Sequence, residues 1–285
     1  MNKNKKWLAV LVAALMLAAC MGCKAEIPPY LIVDGTTVVD YKDELPAKLV
    51  IPKGITKIAG GAFKRCDWLE SVTIPNSVTE IGYDAFYDCT SLASVTIPNS
   101  VTEIGDSAFS GCTSLASVTI PNSVTKIGDW VLSGCTSLAS VTIPNSVTEI
   151  GYNAFSGCDN IVVVTYNGTL KQWCQMDNND YYLVSNAKII RLSDAENLKA
   201  LTTLTIPNGV TKIGNKAFND CYKLASVTIP NSVTKIDLAA FSGCTSLASV
   251  TYTGTKAQWE AVQKREWNYS VPATVVHCAD GDAAL

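Results

Sequence analysis

LASVTIPNSVTEIGDSAFSGCTS, residues 92–114, runs directly into LASVTIPNSVTKIGDWVLSGCTS, residues 115–137. The proline of this unit falls at Pro52, Pro75, Pro98, Pro121 and Pro144, and again at Pro207 and Pro230, always 23 residues apart within each run. Self-similarity at a fixed period of this size is the signature of a solenoid, in which each repeat stacks only on its neighbours. The functional question therefore concerns surfaces more than a single buried active site.

One unit can be read from its residues. In Leu92–Ser114 the alternation of the opening stretch predicts a short strand, with Val95 and Ile97 turned inward and Ser94 and Thr96 outward. Pro98-Asn99-Ser100 stops that strand with a turn. Val101 and Ile104 face inward along a second extended piece, and Gly105 lets the chain bend. Ala108, Phe109 and Cys112 follow at a spacing that suits one short helical turn, closed by Gly111 in a left-handed conformation. A single rung buries too little apolar surface to offset the entropy of ordering its backbone, so the rungs hold only as a stack. A charged fraction of 16% against about 25% in ordinary domains fits a chain with many positions in such a core.

The unit L-x-S-V-T-I-P-N-S-V-T-x-I-G-x-x-A-F-x-x-C resembles the BspA-like leucine-rich-repeat proteins, a bacterial surface family related to the Treponema-type repeat. The likeness spans roughly residues 30–253. It implies a leucine-rich-repeat solenoid and a role in adhesion to host matrix or to other cells. Trp130-Val131-Leu132 departs from the pattern, replacing a small residue, Ala and Phe. Leu132 keeps the core apolar, and Trp130 is expected on the surface.

Residues 1–19 carry the marks of an export signal. Lys3, Lys5 and Lys6 precede an apolar stretch from Trp7 to Ala19 that is too short to span a bilayer. It ends in Leu17-Ala18-Ala19-Cys20, which resembles the lipobox of bacterial lipoproteins. That likeness implies lipidation at Cys20, a membrane association through the lipid anchor alone, and display on the outer face of the cell envelope. The alternative is an ordinary secretory signal, cut for instance after Ala25. Without residues 1–19 the chain has a net charge of −6 and no basic cluster, which speaks against nucleic acid as a partner.

Cys66, Cys89, Cys112, Cys135 and Cys158 recur every 23 residues, as do Cys221 and Cys244. Rungs lie about 4.8 Å apart with parallel side chains, whereas a disulfide needs converging Cβ atoms about 3.8 Å apart. The ladder is therefore expected to be one of free buried thiols. Cys174 and Cys278 stand outside it and can pair. Cys23 falls in the tether.

These readings divide the chain into a signal (1–19), a lipidated tether (20–29), an N-terminal cap (30–48), a first array (49–160), an enlarged interrupting rung (161–200), a second array (201–250) and a C-terminal cap module (251–285). Asp34-Gly35 between β-rich runs predicts a hairpin in the first cap. After Ile161 the next rung leader is Leu201, 40 residues on. Thr165–Trp173 recurs as Thr251–Trp259 and Ala187–Ile190 as Ala273–Val276, both at an offset of 86. The second module thus exists in two Tyr/Trp-containing copies. Thr169 and Thr255 suit helix N-caps; Leu170, Trp173 and Met176, or Trp259 and Val262, make an apolar stripe that favours core. The competing reading makes Tyr166 and Trp173, or Tyr252 and Trp259, a ligand site.

No catalytic residues, cofactor or metal site are expected. His277 has no nucleophile or second histidine beside it, phosphate-binding glycine motifs are lacking, and Asp177–Asp180 and Asp280–Asp282 read as solvated turns. The candidate binding face is the outward strand row: Ser71, Thr73, Ser94, Thr96, Ser117, Thr119, Ser140, Thr142, Ser226 and Thr228, with specificity expected from positions that differ between rungs, such as Tyr83, Trp130, Tyr152 and the charges at Glu80, Glu103, Lys126 and Glu149. Its partner is a host matrix protein, a glycan or another cell-surface protein. The alternative is a passive spacer or coat protein of the envelope, for which near-identical rungs suffice.

Overall fold

The structure is a computed structural model that describes residues 26–285 except 43, 44, 181 and 196. The expected signal, Cys20 and Cys23 lie outside the described residues.

The chain winds as a three-sided solenoid. The first side carries the S-V-T strands, Ser71–Thr73, Ser94–Thr96, Ser117–Thr119, Ser140–Ile143, Thr203–Thr205, Ser226–Ile229 and Ser249–Tyr252. They pair in parallel at the repeat spacing, as in Ser71 with Ser94, Ser117 with Ser140 and Ser226 with Ser249. The second side carries two-residue strands such as Glu80–Ile81, Glu103–Ile104 and Lys126–Ile127. Both sides obey the expected alternation: Val72, Val118, Val141 and Val227 are buried while Thr73, Thr96 and Thr119 are exposed. Between Thr96 and Ser117 the strand ladder is broken and Val95 is only half-buried.

The third side is not the helical turn expected at Ala108–Cys112. It is a run of tight turns with two left-handed residues four positions apart, Ser107 (φ 57°) and Gly111 (φ 75°). The effect is to turn alternate peptides in opposite directions. Ser107, Phe109 and Gly111 donate their N–H groups to Asp129, Val131 and Ser133 of the next rung. Ala108, Ser110 and Cys112 donate back to Gly105, Ser107 and Phe109. A helix would satisfy these groups within the rung; this arrangement uses half of them to join rungs, including across the gap in the strand ladder.

The core is one continuous cluster from Leu31 to Ala283. Phe63, Phe86 and Phe109 stack nearly parallel, with ring centroids 5.2 and 5.3 Å apart, and Phe218 lies 5.1 Å from Phe241. An aromatic residue covers each end of this column: Tyr41 at 6.2 Å from Phe63, and Trp267 edge-on at 5.8 Å from Phe241. Tyr41 belongs to the antiparallel hairpin Leu31–Asp34 and Thr37–Tyr41, turned at Gly35 (φ 60°).

The ladder cysteines are free and buried. They are more than small hydrophobes. Cys89, Cys112, Cys135, Cys158 and Cys244 each point the thiol at the carbonyl of residue 63, 86, 109, 132 or 218 in the preceding rung, at 3.1–3.3 Å. Burial pushes the Cys112 thiol up to about 12. Cys174 and Cys278 are likewise free rather than paired.

Both copies of the second module form the same enlarged coil. Val164 pairs with Ile190 and Val250 with Val276, a spacing of 26 residues in each. The extra length is a helix, Leu170–Gln175 in one and Lys256–Ala261 in the other. Thr169 and Thr255 cap these helices, each in a reciprocal capping box with Gln172 or Gln258. Trp173 and Trp259 lie inside, 5.6 and 5.4 Å from Tyr166 and Tyr252. All four rings are core, which removes them as a ligand site.

Candidate binding surfaces

The outward hydroxyl row forms on the first side. Thr73, Ser94, Thr96, Ser117 and Thr119 are exposed, while Ser71, Ser140, Thr142, Ser226 and Thr228 are half-buried. In-register pairing makes the row straight within each sheet: Ser71 and Thr73 align with Ser94 and Thr96, and Ser117 and Thr119 with Ser140 and Thr142. It is interrupted twice, between Thr96 and Ser117 and again at the enlarged coil, where Val163 and Arg191 occupy the row.

Trp130 does not belong to that row. It sits beyond the second side, immediately after strand Lys126–Ile127, in the left-handed position with φ 52°. It is 41% exposed and meets the Tyr152 ring edge-on at 5.3 Å. Gly61, Asp84, Ser107, Asn153, Lys216 and Ala239 take the same left-handed position in other rungs. Lys216 is buried there, whereas Trp130 projects outward, a bulky aromatic accommodated at the cost of backbone strain, about 1–2 kcal/mol.

The second side carries a column of charges. Lys57 pairs with Glu80 at 2.6 Å, Lys126 with Glu149 at 2.9 Å, and Lys235 with Asp237 at 2.8 Å. The first two pairs are largely solvated, so each contributes little to stability, whereas Asp237 is buried and also meets Lys212 at 3.4 Å.

The enlarged coil contains the least expected side chain. Asp180 is fully buried and not part of a solvated turn. Its carboxylate accepts the N–H groups of Phe155, Tyr182 and Leu183 at 2.8, 2.8 and 2.6 Å. In a regular rung the amide equivalent to Phe155 bonds to a backbone carbonyl of the next rung, as Phe109 does to Val131. The enlarged coil supplies the Asp180 carboxylate instead. Burial raises the Asp180 pKa, with the three N–H donors opposing that shift. The nearby Lys216 is pushed down to about 8 by burial.

Two further carboxylates were legible only as a repeat. Asp194 and Asp280, also at the offset of 86, accept the first helical N–H of Leu170 and Lys256 at 2.8 and 2.7 Å. His277 faces Asp282 at 2.8 Å across the terminal hairpin. Among the described residues no cluster of three metal-ligating side chains occurs, and no helix is long and apolar enough to cross a membrane.

Three stacked sides, thiol and phenylalanine columns and terminal covers define a leucine-rich-repeat β-solenoid. The chain belongs to the BspA type leucine rich repeat family, whose pattern matches six copies over residues 41–162 and 170–261. Among solved structures it is similar to a leucine-rich-repeat protein of Treponema pallidum, at 26% identity and a TM-score of 0.50, over 87% of this chain and 100% of that one. A leucine-rich cell surface protein of Faecalibacterium prausnitzii aligns at 23% identity and a TM-score of 0.31, over 83% of this chain and 98% of that one. A leucine-rich-repeat protein of Eubacterium ventriosum aligns at 20% identity and a TM-score of 0.45, over 85% and 71%. No curated protein matches the sequence.

Proposed function

We propose that the protein is a non-catalytic adhesive surface protein, held at the outer face of the bacterial envelope through a lipid on Cys20. It binds a host matrix protein, a glycan or another cell-surface protein through its solenoid faces. The observation that supports this reading is the hydroxyl row on the first side, where Ser94, Thr96, Ser117 and Thr119 are exposed across successive rungs. Serine and threonine hydroxyls both donate and accept hydrogen bonds, and a stack repeats them at a regular interval suited to an extended partner. The family relationship supports the same reading.

The test is retention of the purified protein on immobilised fibronectin, collagen, laminin and arrayed glycans. A variant carrying Thr96→Lys and Thr119→Lys is run in parallel. Adhesion through the row predicts capture by at least one surface and its loss in the variant. If the unaltered protein is retained by none, the passive-spacer alternative replaces adhesion, a reading favoured by the near-identity of residues 92–114 and 115–137.

A further inference from the structure

The joint between Leu92–Ser114 and Leu115–Ser137 differs from its neighbours. Both strand sheets stop there, between Ser94–Thr96 and Ser117–Thr119 on the first side and between Glu103–Ile104 and Lys126–Ile127 on the second. At the next joint three further amides cross, Ala139 to Ala116, Thr148 to Thr125 and Gly151 to Ile127, at 3.0, 2.9 and 2.8 Å. Their counterparts one rung earlier are the amides of Ala116, Thr125 and Gly128. Among the described residues none of these three reaches Ala93, Thr102 or Ile104. The backbones also lie further apart. A methyl group on Gly82, Gly105 or Gly151 would stand 2.5, 2.4 or 2.6 Å from the backbone of the preceding rung, whereas for Gly128 the nearest such atom is Asp106 Cα, at 3.5 Å. Val95, on the parted edge, is half-buried where Val72, Val118 and Val141 are buried.

The third side does not part. Ser107, Phe109 and Gly111 donate to the carbonyls of Asp129, Val131 and Ser133 at 2.8, 2.9 and 2.7 Å, and the Cys135 thiol meets the Phe109 carbonyl at 3.3 Å. Across the other two sides the described residues bridge the joint only through side chains. The Ser123 hydroxyl donates to the Val101 carbonyl, and the Asp106 carboxylate accepts the Asp129 N–H at 2.8 Å. Both sheets also stop between the enlarged coil and the second array, but that joint is bound more firmly. Gly214 donates to the Cys174 carbonyl at 2.7 Å, the Trp173 indole to Ala217 at 2.8 Å and the Lys199 ammonium to Asn219 at 2.6 Å. The sequence supplies a cause for the parted joint. Val131 is buried in the column that Ala62, Ala85, Ala108 and Ala154 occupy in the other rungs of the first array. Its Cγ2 lies 3.3 Å from the place a methyl group on Gly128 would take. Extra methyl groups in a close-packed column displace the neighbouring backbone.

We propose that this joint is a hinge, wedged open by Val131, at which residues 31–114 swing against the rest of the solenoid with the third side as the pivot. A stack is held only by contacts between neighbouring rungs, so bending concentrates where the fewest bonds cross. The hydroxyl row is divided at the same place, between Thr96 and Ser117. A swing of the hinge therefore changes the angle between the two parts of the row. The motion itself does not rest on the adhesive reading.

The experiment has three readouts on the full chain. Hydrogen exchange resolved to single amides, corrected for intrinsic rates, is expected to be about tenfold or more faster at Ala116, Thr125 and Gly128 than at Ala139, Thr148 and Gly151. Val131→Ala combined with Leu132→Phe restores the rung pattern and is expected to slow the first three to the rate of the second. Spin labels at Lys53→Cys and Asn145→Cys, both exposed and four rungs apart, report the swing by pulsed electron resonance, with Cys20→Ser, Cys23→Ser and Cys278→Ser keeping the label off other sites. The distance distribution is expected to be broader with Val131-Leu132 than with the restored pattern. The third readout needs neither label nor double variant. Gly128→Ala fits the open joint by moving the tip of the Asp106 side chain and keeps the unfolding temperature within about 2 °C, whereas Gly151→Ala meets backbone and lowers it by about 4 °C or more. Unfolding curves confirm that each variant folds. The proposal is overturned if the three amides exchange like their counterparts, if the restored pattern leaves them fast, if the two distance distributions have the same width, or if the two alanine variants lose alike.

Discussion

Replacing Asp180 is the most informative perturbation of the fold. The unaltered carboxylate receives three N–H groups, from Phe155, Tyr182 and Leu183. Hydrogen bonds to a charged group contribute about 1.5–3 kcal/mol each. Against them stands the cost of burying the charge, several kcal/mol even after relaxation. Asp180→Ala removes both but strands three buried donors, so we expect a net loss of about 2–4 kcal/mol. Asp180→Asn keeps one oxygen to accept from Tyr182 and Leu183 and sets an amide NH2, itself a donor, against the Phe155 N–H, so only that one bond is lost and the loss should be about half as large. Because the stack transmits stability only between neighbours, the loss should concentrate at the enlarged coil and loosen the coupling of the two arrays. Urea unfolding followed by tryptophan fluorescence measures the total. Hydrogen exchange at the Phe155 amide locates it, with faster exchange expected in both variants. An Asp180→Ala protein within about 0.5 kcal/mol of the unaltered one, the scatter of ordinary surface substitutions, would refute the reasoning, because three buried donors would then have found partners elsewhere.

Other outcomes follow from the same geometry. Burial raises the Asp180 pKa above the ordinary 3.8, so the folded state holds that proton more tightly; relative to Asp180→Asn, the unaltered protein should gain stability as pH falls through the folded pKa, measured by urea midpoints across the acid range. Lys216 is lowered from 10.5 to about 8, so the unfolded chain binds more protons between those values, and the unaltered protein should gain stability relative to Lys216→Gln as pH rises through that window; a flat difference between the two midpoint curves would contradict it. Gly105→Ala places a methyl group 2.4 Å from the backbone nitrogen of Tyr83 and should cost about 2 kcal/mol or more, whereas Ala239→Gly relieves a left-handed residue (φ 57°) and should stabilise by about 1 kcal/mol; thermal unfolding of the pair checks the opposite signs. Iodoacetamide labelling mapped by mass spectrometry should reach the half-buried Cys278 first among residues 26–285 and spare the eight buried thiols until the chain unfolds.

The candidate surfaces divide by how far each depends on the rung pattern. The hydroxyl row was legible because Ser94 and Thr96 alternate with inward residues within one strand. Trp130 was legible as exposed but not as separate from that row, since the separation depends on where the second side turns. The buried Asp180 carboxylate was not legible at all, because Asp177–Asp180 reads in sequence like any polar turn.

What the sequence alone determined was the stack. A period of 23 residues, with each apolar position repeated in phase, can satisfy its buried surface only by placing like upon like, so Phe86 meets Phe109 and the thiols align. What only the tertiary structure decided were the features set by relations between rungs. These are the left-handed residues that send alternate amides of the third side to the next rung, the thiols aimed at a neighbour's carbonyl, and the Asp180 carboxylate standing in for an absent backbone partner. A repeat pattern records which residues are buried. It does not record which hydrogen-bonding groups the coil leaves unmatched, because that depends on how the neighbouring coil lies against it.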